Sequence, residues 1–291
     1  MLSETSIKEL ARFRALTDSE LRVFPRFQSD NQRTVILSET PHQGRDAATI
    51  ENEAGAAPER PNGNAASIAA TIAIDGPVAS GKSAVGSRLA RHLGYRLVDT
   101  GMMYRAITCL ALDEGIDLGD EATLAALGVA AKIDVQPGPA GDPEGARVLV
   151  NGNDVTARLR SPEVGEAVSL VSRVPGVRRA MVAIQREIAN QGRVVMVGRD
   201  IGTVVLPDAP LKAYLDASAG ERARRRHAEV QAAGRTETLD EVRTELAMRD
   251  KIDRQRDASP LRPAEDALVI NTDKMTIQQV VDAILEAMSC S

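Results

Sequence analysis

Eight residues, Gly76 to Ser83, read GPVASGKS and fit the spacing G-x-x-x-x-G-K-[ST] at every fixed position. They follow the β-branched run Ile72 to Ile74 and precede a stretch, Ser83 to Leu93, whose apolar residues recur at helical spacing. Strand, glycine loop and helix in that order leave few folds open. Glycines let successive main-chain N–H groups converge on a phosphate, and the open end of the following helix favours negative charge. The loop Gly76, Pro77, Val78, Ala79, Ser80, Gly81, Lys82 and Ser83, with Ala84 behind it, therefore reads as a cradle for a nucleoside triphosphate. Lys82 reaches the terminal phosphates. Ser83 places its hydroxyl on a magnesium ion bridging the β and γ oxygens.

The rest of the chain keeps the same rhythm. Leu97 and Val98 form a second short strand ending at Asp99, followed by helical patterning from about Met103 to Leu112. Between about Lys132 and Thr156 the pattern changes to short alternating pieces, IDVQ and RVLVNG, on either side of the turn-rich PGPAGDPEG. A small antiparallel insertion is expected there, at about 130–160. Helical patterning returns from Pro162 to Gln191, with Pro175 between two helices because its ring is not tolerated inside one. Strands are expected at Val194 to Val197, Leu211 to Leu215 and Leu268 to Ile270. An arginine-rich helix pair runs from about Ala219 to Arg254, and a last helix covers Ile277 to Met288. The βαβ alternation predicts an α/β fold with a parallel sheet flanked by helices.

Residues 1–68 read differently. An amphipathic patch around Ile7 to Phe27 gives way to ENEAGAAPERPNGNAAS, Glu51 to Ser67, which has almost no large apolar side chain to offset the entropy of ordering it. The expected organisation is a largely disordered extension at 1–68 and one domain at 69–291. A formal net charge of -5 excludes a wholly basic nucleic-acid-binding surface and confines any anion site to local arginine clusters. The two cysteines, Cys109 and Cys290, have no zinc or disulfide spacing, which fits a reducing cytoplasm. No apolar run approaches the roughly 20 residues of a membrane span.

A switch-type GTPase needs a guanine-reading NKxD segment, and none follows Ser83. A kinase acting on a small phosphorylated acceptor needs a second anion site, because two polyanions must meet against their mutual repulsion. Arginines fall in four suitable places: Arg105, the pair Arg178 and Arg179, Arg199, and Arg222 to Arg256. The spacing of Arg249, Asp253 and Arg256, four and then three, predicts one shared helix face.

The blocks TIAIDGPVASGKS, LVDTGMMYRA, VGRDIGTVVLPDAPLKAYLDAS and RDKIDRQRDASPLRPAEDALVINT resemble the signature blocks of the bacterial cytidylate kinase family, in the same order from about Ile72 to the C-terminus. That resemblance implies a P-loop NTPase fold with a small added sheet in the monophosphate-binding region and a helical lid at about 220–249. It implies transfer of a phosphoryl group from ATP, with Mg2+, to CMP or dCMP, by a cytoplasmic monomer that needs neither nucleic acid nor membrane.

By the same resemblance, Asp99, Thr100, Gly101 and Arg105 line the monophosphate site, while Ser169, Arg178 and Asp200 read the base. Arg199, Arg249 and Arg256 hold phosphates beside Lys82 and form with it the catalytic set. Asp253 accepts from the sugar. Of the arginines at 222–226, Arg222 and Arg226 are expected to close over the donor phosphates. Relatives often carry an acid just before the Gly-Arg-Asp block, where this chain has Val197. That leaves Ser83, Asp99 and Asp75 as candidates for contact with the metal. Two rivals remain at the level of sequence: a kinase for UMP or AMP, and an ATP-binding interaction protein that docks a partner through its N-terminal segment.

Overall fold

In the computed structural model, residues 71–136 and 146–289 are described. The expected extension at 1–68 and the PGPAGDPEG turn lie outside them. The core is a five-stranded sheet in the order β2-β6-β1-β7-β8, with every neighbouring pair parallel. Its strands are β1 (Thr71–Asp75), β2 (Arg96–Asp99), β6 (Val194–Gly198), β7 (Leu211–Asp216) and β8 (Leu268–Asn271). A smaller antiparallel sheet holds β3 (Ile133–Gln136), β4 (Arg147–Val150) and β5 (Asn153–Asp154), where the insertion was expected.

The alternation of side chains along a strand splits the core in two. Ala73 of β1 and Val194 and Met196 of β6 face one hydrophobic cluster. Helices α2 (Thr100–Asp113), α4 (Pro162–Arg173) and α5 (Pro175–Ala189) cover it with Met103, Ile107, Val164, Val168, Val177 and Met181. Ile72, Ile74, Val195 and Val197 face the opposite cluster, under α1 (Lys82–Leu93) and α8 (Ile277–Ser289). Pro175 is the first residue of α5, where its missing N–H costs nothing. Because β1 is central and sandwiched, the loop leaving its carboxyl end opens where chain crossovers part to either side, the usual crevice for a ligand in such sheets.

Two elements were not expected. Helix α3 (Glu121–Ala130) reads EATLAALGVA, so uniformly apolar that no polar face marks its period. It packs closely on α5 because two positions lack side chains. A Cβ at Gly176 would stand 2.2 Å from the Cβ of Ala125, and one at Gly128 would stand 3.3 Å from the Cα of Val177. The second is a π-helical turn at Ile201–Val205, directly after β6. The arginine-rich pair resolves into α6 (Ala219–Ala232) and α7 (Leu239–Gln255), the latter opened by a Thr238–Glu241 capping box. The pair carries its own small core of Ala223, Val230, Val242 and Leu246, against which Val78 of the glycine loop packs.

Candidate active site

The donor loop is built from main chain. Gly76 sits at φ 149, and a Cβ there would meet the Leu215 carbonyl oxygen at 2.1 Å, so only glycine lets the strand turn here. Gly81 caps α1 at φ 94 with no side chain bonded to the first turn, which leaves the helix amides free for an anion. Lys82 is folded back on the loop, donating to the Pro77 carbonyl at 2.5 Å and the Ser80 hydroxyl at 3.5 Å. Burial, and after it the charge of Arg199, holds the ammonium well below the ordinary lysine range.

Ser83, exposed at the loop's mouth, donates its hydroxyl to Asp99 Oδ2 at 2.7 Å. The other Asp99 oxygen caps α2 by accepting from Gly101 N at 2.9 Å. Among the described residues no group of three or more His, Cys, Asp or Glu could hold a metal. A hydroxyl backed by one carboxylate nevertheless suits Mg2+, which keeps several waters and binds through one or two protein groups plus phosphate oxygens. Asp75 does not belong to this set, because Ile201 N and Gly202 N donate to its two oxygens at 2.8 and 2.7 Å. Val197 is buried with its side chain toward α1, 2.6 Å from where a Cβ of Gly86 would stand, so this position points into the core. Thr100, also buried, donates its hydroxyl to the Val197 carbonyl at 3.0 Å and so ties the start of α2 to β6.

Opposite the loop stands a cage of guanidinium groups. Arg105 comes from α2 and donates to the Leu159 carbonyl at 2.9 Å. Arg199 follows β6 and pairs with Asp253 at 2.9 Å. Arg249, from α7, has an ion pair at 3.3 Å with Glu245, and Arg226, from α6, has one at 3.0 Å with Glu229. These cations repel one another. Burial, then Arg249 and Arg226, push Arg105 down to about 10. Burial, then Arg199, lower Arg249. Arg199 is instead raised against burial by Asp253 and then Asp99, so carboxylates offset part of the repulsion and a polyanion would relieve more of it.

Beside the cage lies a buried polar pocket. Arg178, from α5, is bonded to Asp200, donates to the Ser172 carbonyl at 3.1 Å, and lies over the Tyr104 ring at 5.2 Å. Ser169 is buried on α4 and accepts through its carbonyl from the Ser172 hydroxyl at 3.4 Å. Arg256 lies 3.9 Å from Asp200 and 3.8 Å from Asp253, linking this pocket to the cage. Among the described residues, Arg178 Nε and Arg256 Nη2 are buried donors without a hydrogen-bond partner, a demand that a ligand's acceptors could meet.

Arg256 is the cap of α7, with its N–H still bonded to the Ile252 carbonyl and its side chain 3.8 Å from Asp253, so it keeps the face it shares with Asp253 and reaches Asp200 at 3.9 Å from there. One sequence expectation changes. Arg222 is not poised over the donor loop as a free cation. It is buried against Asp250 at 2.6 Å and also donates to the Val78 carbonyl at 3.3 Å, which staples the helix pair to the loop. Arg225 also approaches the loop, its Nη1 3.9 Å from where a Cβ on Gly81 would stand, and donates to Thr272 Oγ1 and O at 3.0 and 2.7 Å. Thr272 in turn donates to the Ser80 carbonyl at 3.2 Å. Sequence reasoning passed over Tyr104 and Thr272. Only Tyr104 carried a signal, its place beside Arg105 in the second block.

A glycine loop at the end of a central parallel strand, facing converging guanidinium groups, defines the class as P-loop phosphotransferases. Residues 72–290 match the family model for cytidylate kinase, and the chain belongs to that family, whose members are nucleoside monophosphate kinases. It is 49% identical over 218 residues to the cytidylate kinase of Geobacillus sp. (strain WCH70), covering 75% of this chain and 96% of that protein. Identity to the cytidylate kinase of Geobacillus kaustophilus is 48% over 219 residues, with the same coverage of 75% and 96%. A bifunctional pantoate ligase/cytidylate kinase of Synechococcus sp. (strain JA-3-3Ab) is 48% identical over 214 residues, which are 74% of this chain and 39% of that one.

Proposed function

We propose that the protein moves the γ-phosphoryl group of ATP to CMP or dCMP, giving ADP and CDP or dCDP, with Lys82, Arg199, Arg249 and Arg256 as its catalytic groups. The observation that carries this reading is the mutual repulsion of Lys82, Arg105, Arg199 and Arg249 in one cleft. Asp99, Asp253 and Glu245 offset part of that repulsion, and two nucleotides meeting end to end supply the further negative charge.

In this reading the loop Gly76 to Ala84 holds the ATP phosphates through main-chain amides, and Lys82 leaves its carbonyl partner for a phosphate oxygen. Arg105 and Arg249 take the acceptor phosphate. Arg199 faces both Lys82 and Asp253 and so sits where charge builds on the transferred group. Asp253 accepts from the sugar, and the Ser169, Arg178 and Asp200 pocket offers both donors and an acceptor to cytosine, whose edge combines an amine with a ring nitrogen and carbonyl. Mg2+ bound by Ser83, with Asp99 behind it, would neutralise charge on the phosphates and orient them. Closure of α6 and α7 excludes water, the competing acceptor. We place the protein in the cytoplasm as a monomer, with the kinase domain at 69–291 and an extension at 1–68.

A coupled assay of ADP release against CMP, dCMP, UMP and AMP tests the reading. CMP and dCMP are expected to give kcat/KM at least about tenfold above the others, since a site built around polar base groups discriminates strongly when they go unpaired. ATP binding without turnover on any of the four overturns it.

A further inference from the structure

We propose that Asp75 is a positioning residue that locks the turn carrying Arg199 and Asp200 to the end of the strand carrying the donor loop, so that acceptor and donor sites keep register. It stands one residue before Gly76, at the carboxyl end of β1, and is 4% exposed. Both of its oxygens are used on one target: Oδ1 accepts from Ile201 N at 2.8 Å and Oδ2 from Gly202 N at 2.7 Å. Those are the first two amides of the π-helical turn, the groups that a helix end leaves without internal partners. The partners are 126 and 127 positions away in sequence, so no local preference of the chain makes this contact.

The turn is tightly held on its other side too. A Cβ on Gly198 would stand 2.6 Å from Ile201 Cδ1 and 2.7 Å from the Thr100 hydroxyl, so Gly198, Ile201 and Thr100 are in close contact. Arg199 and Asp200 lie between these two anchors. Displacing Ile201 would carry both side chains with it, Arg199 away from Asp253 and Asp200 away from Arg178.

A carboxylate here is costly. Burial raises Asp75 to about 6, against the two amide bonds and the opposing charge of Lys82, while Asp200 adds repulsion. Tyr214, on the neighbouring β7, also faces it. A buried strand end has no packing need for a charge, and two converging N–H groups are what a carboxylate satisfies in full. Asn offers one acceptor and sets its amide donor against an N–H.

The inference rests on the acceptor-site role given above to Arg199 and Asp200, and its test separates the two. Steady-state kinetics with CMP and ATP varied in turn are measured for the wild type, Asp75→Asn, Asp200→Ala and the double variant. Asp75→Asn is expected to raise KM for CMP and lower kcat, each by about tenfold, with KM for ATP within about twofold, the pattern of misplaced acceptor groups beside an intact donor loop. In the Asp200→Ala background the effect on KM for CMP should largely disappear, because the two substitutions act through one turn. Equal shifts in both KM values, or fully additive effects, overturn the proposal. Absence of CMP turnover in the wild type refutes the functional reading instead. Should Asp75→Asn fail to fold, Asp75→Ser, which keeps one acceptor, is titrated with CMP and with ATP by calorimetry, and a loss confined to CMP is the supporting result.

Discussion

The glycine loop and the guanidinium cage, the two phosphate sites proposed above, are made in opposite ways. The loop is a run of nine neighbouring residues, Gly76 to Ala84, whose binding groups are main-chain amides shaped by two glycines. The cage draws single side chains from α2, the end of β6, α6 and α7, so its geometry exists only once the whole domain has folded. A site of the first kind is fragile to backbone strain and indifferent to many side-chain changes. A site of the second kind is the reverse.

Gly76 is the position where the loop's dependence on backbone shape is most exposed to test. Its Cβ would overlap the Leu215 carbonyl at 2.1 Å, a main-chain atom that cannot rotate aside. Gly76→Ala is therefore expected to abolish ATP binding, read by calorimetry, and to lower thermal stability as well. Next comes Lys82→Ala, expected to reduce kcat by about 10³-fold with the fold intact by circular dichroism, in line with losing a charged group that would turn from the Pro77 carbonyl to the reacting phosphate. A loop whose amides suffice alone would show far less.

Arg178→Ala examines the side-chain region. It leaves Asp200 buried with Arg256 only at 3.9 Å, and is expected to raise KM for CMP by about 10²-fold while KM for ATP stays within about twofold. An equal effect on both substrates would mean that pocket and loop are not separate. Arg178→Lys should rescue little, since an ammonium cannot reproduce a guanidinium that lies over Tyr104 and bonds two partners.

The same contrast explains what could be read without coordinates. The loop was legible because its chemistry is local, and β1 and β6 were legible because strands buried on both faces are unbroken apolar runs. Helix α3 was hidden by its uniform apolar composition. The π-helical turn was hidden because Asp75, far upstream, holds it. Spacing on a helix joined Arg249, Asp253 and Arg256, although the last is the helix cap. Among the arginines at 222–226, charge alone could not distinguish Arg222, buried on Asp250, from Arg225, beside the loop. Which charges face inward is a property of packing, and sequence reports it only through resemblance.

The smallest expected effect bears most directly on the cage. Arg249 gains one ion pair at 3.3 Å with Glu245, an i,i+4 contact worth about 0.3–0.5 kcal/mol. Against that stand the charges of Arg199 and Arg226, which depress it, and of Arg105, which it depresses in turn. Asp253 adds a second attraction, yet burial and Arg199 still leave the guanidinium lowered, so without nucleotides its charge should cost stability. Arg249→Met keeps the aliphatic packing and removes the charge, so it is expected to raise the Tm of the free protein by about 2–4 °C, the shift that about 1 kcal/mol gives in a domain of this size. Added salt should raise the wild-type Tm more than the variant's, because screening relieves only a repulsion that is present. With ATP and CMP bound the order should invert, the wild type gaining more from the ligands than the variant. A variant less stable than the wild type in all three conditions would mean that Arg249 is held in place by its own contacts, and that the cage is not under electrostatic strain before substrates arrive.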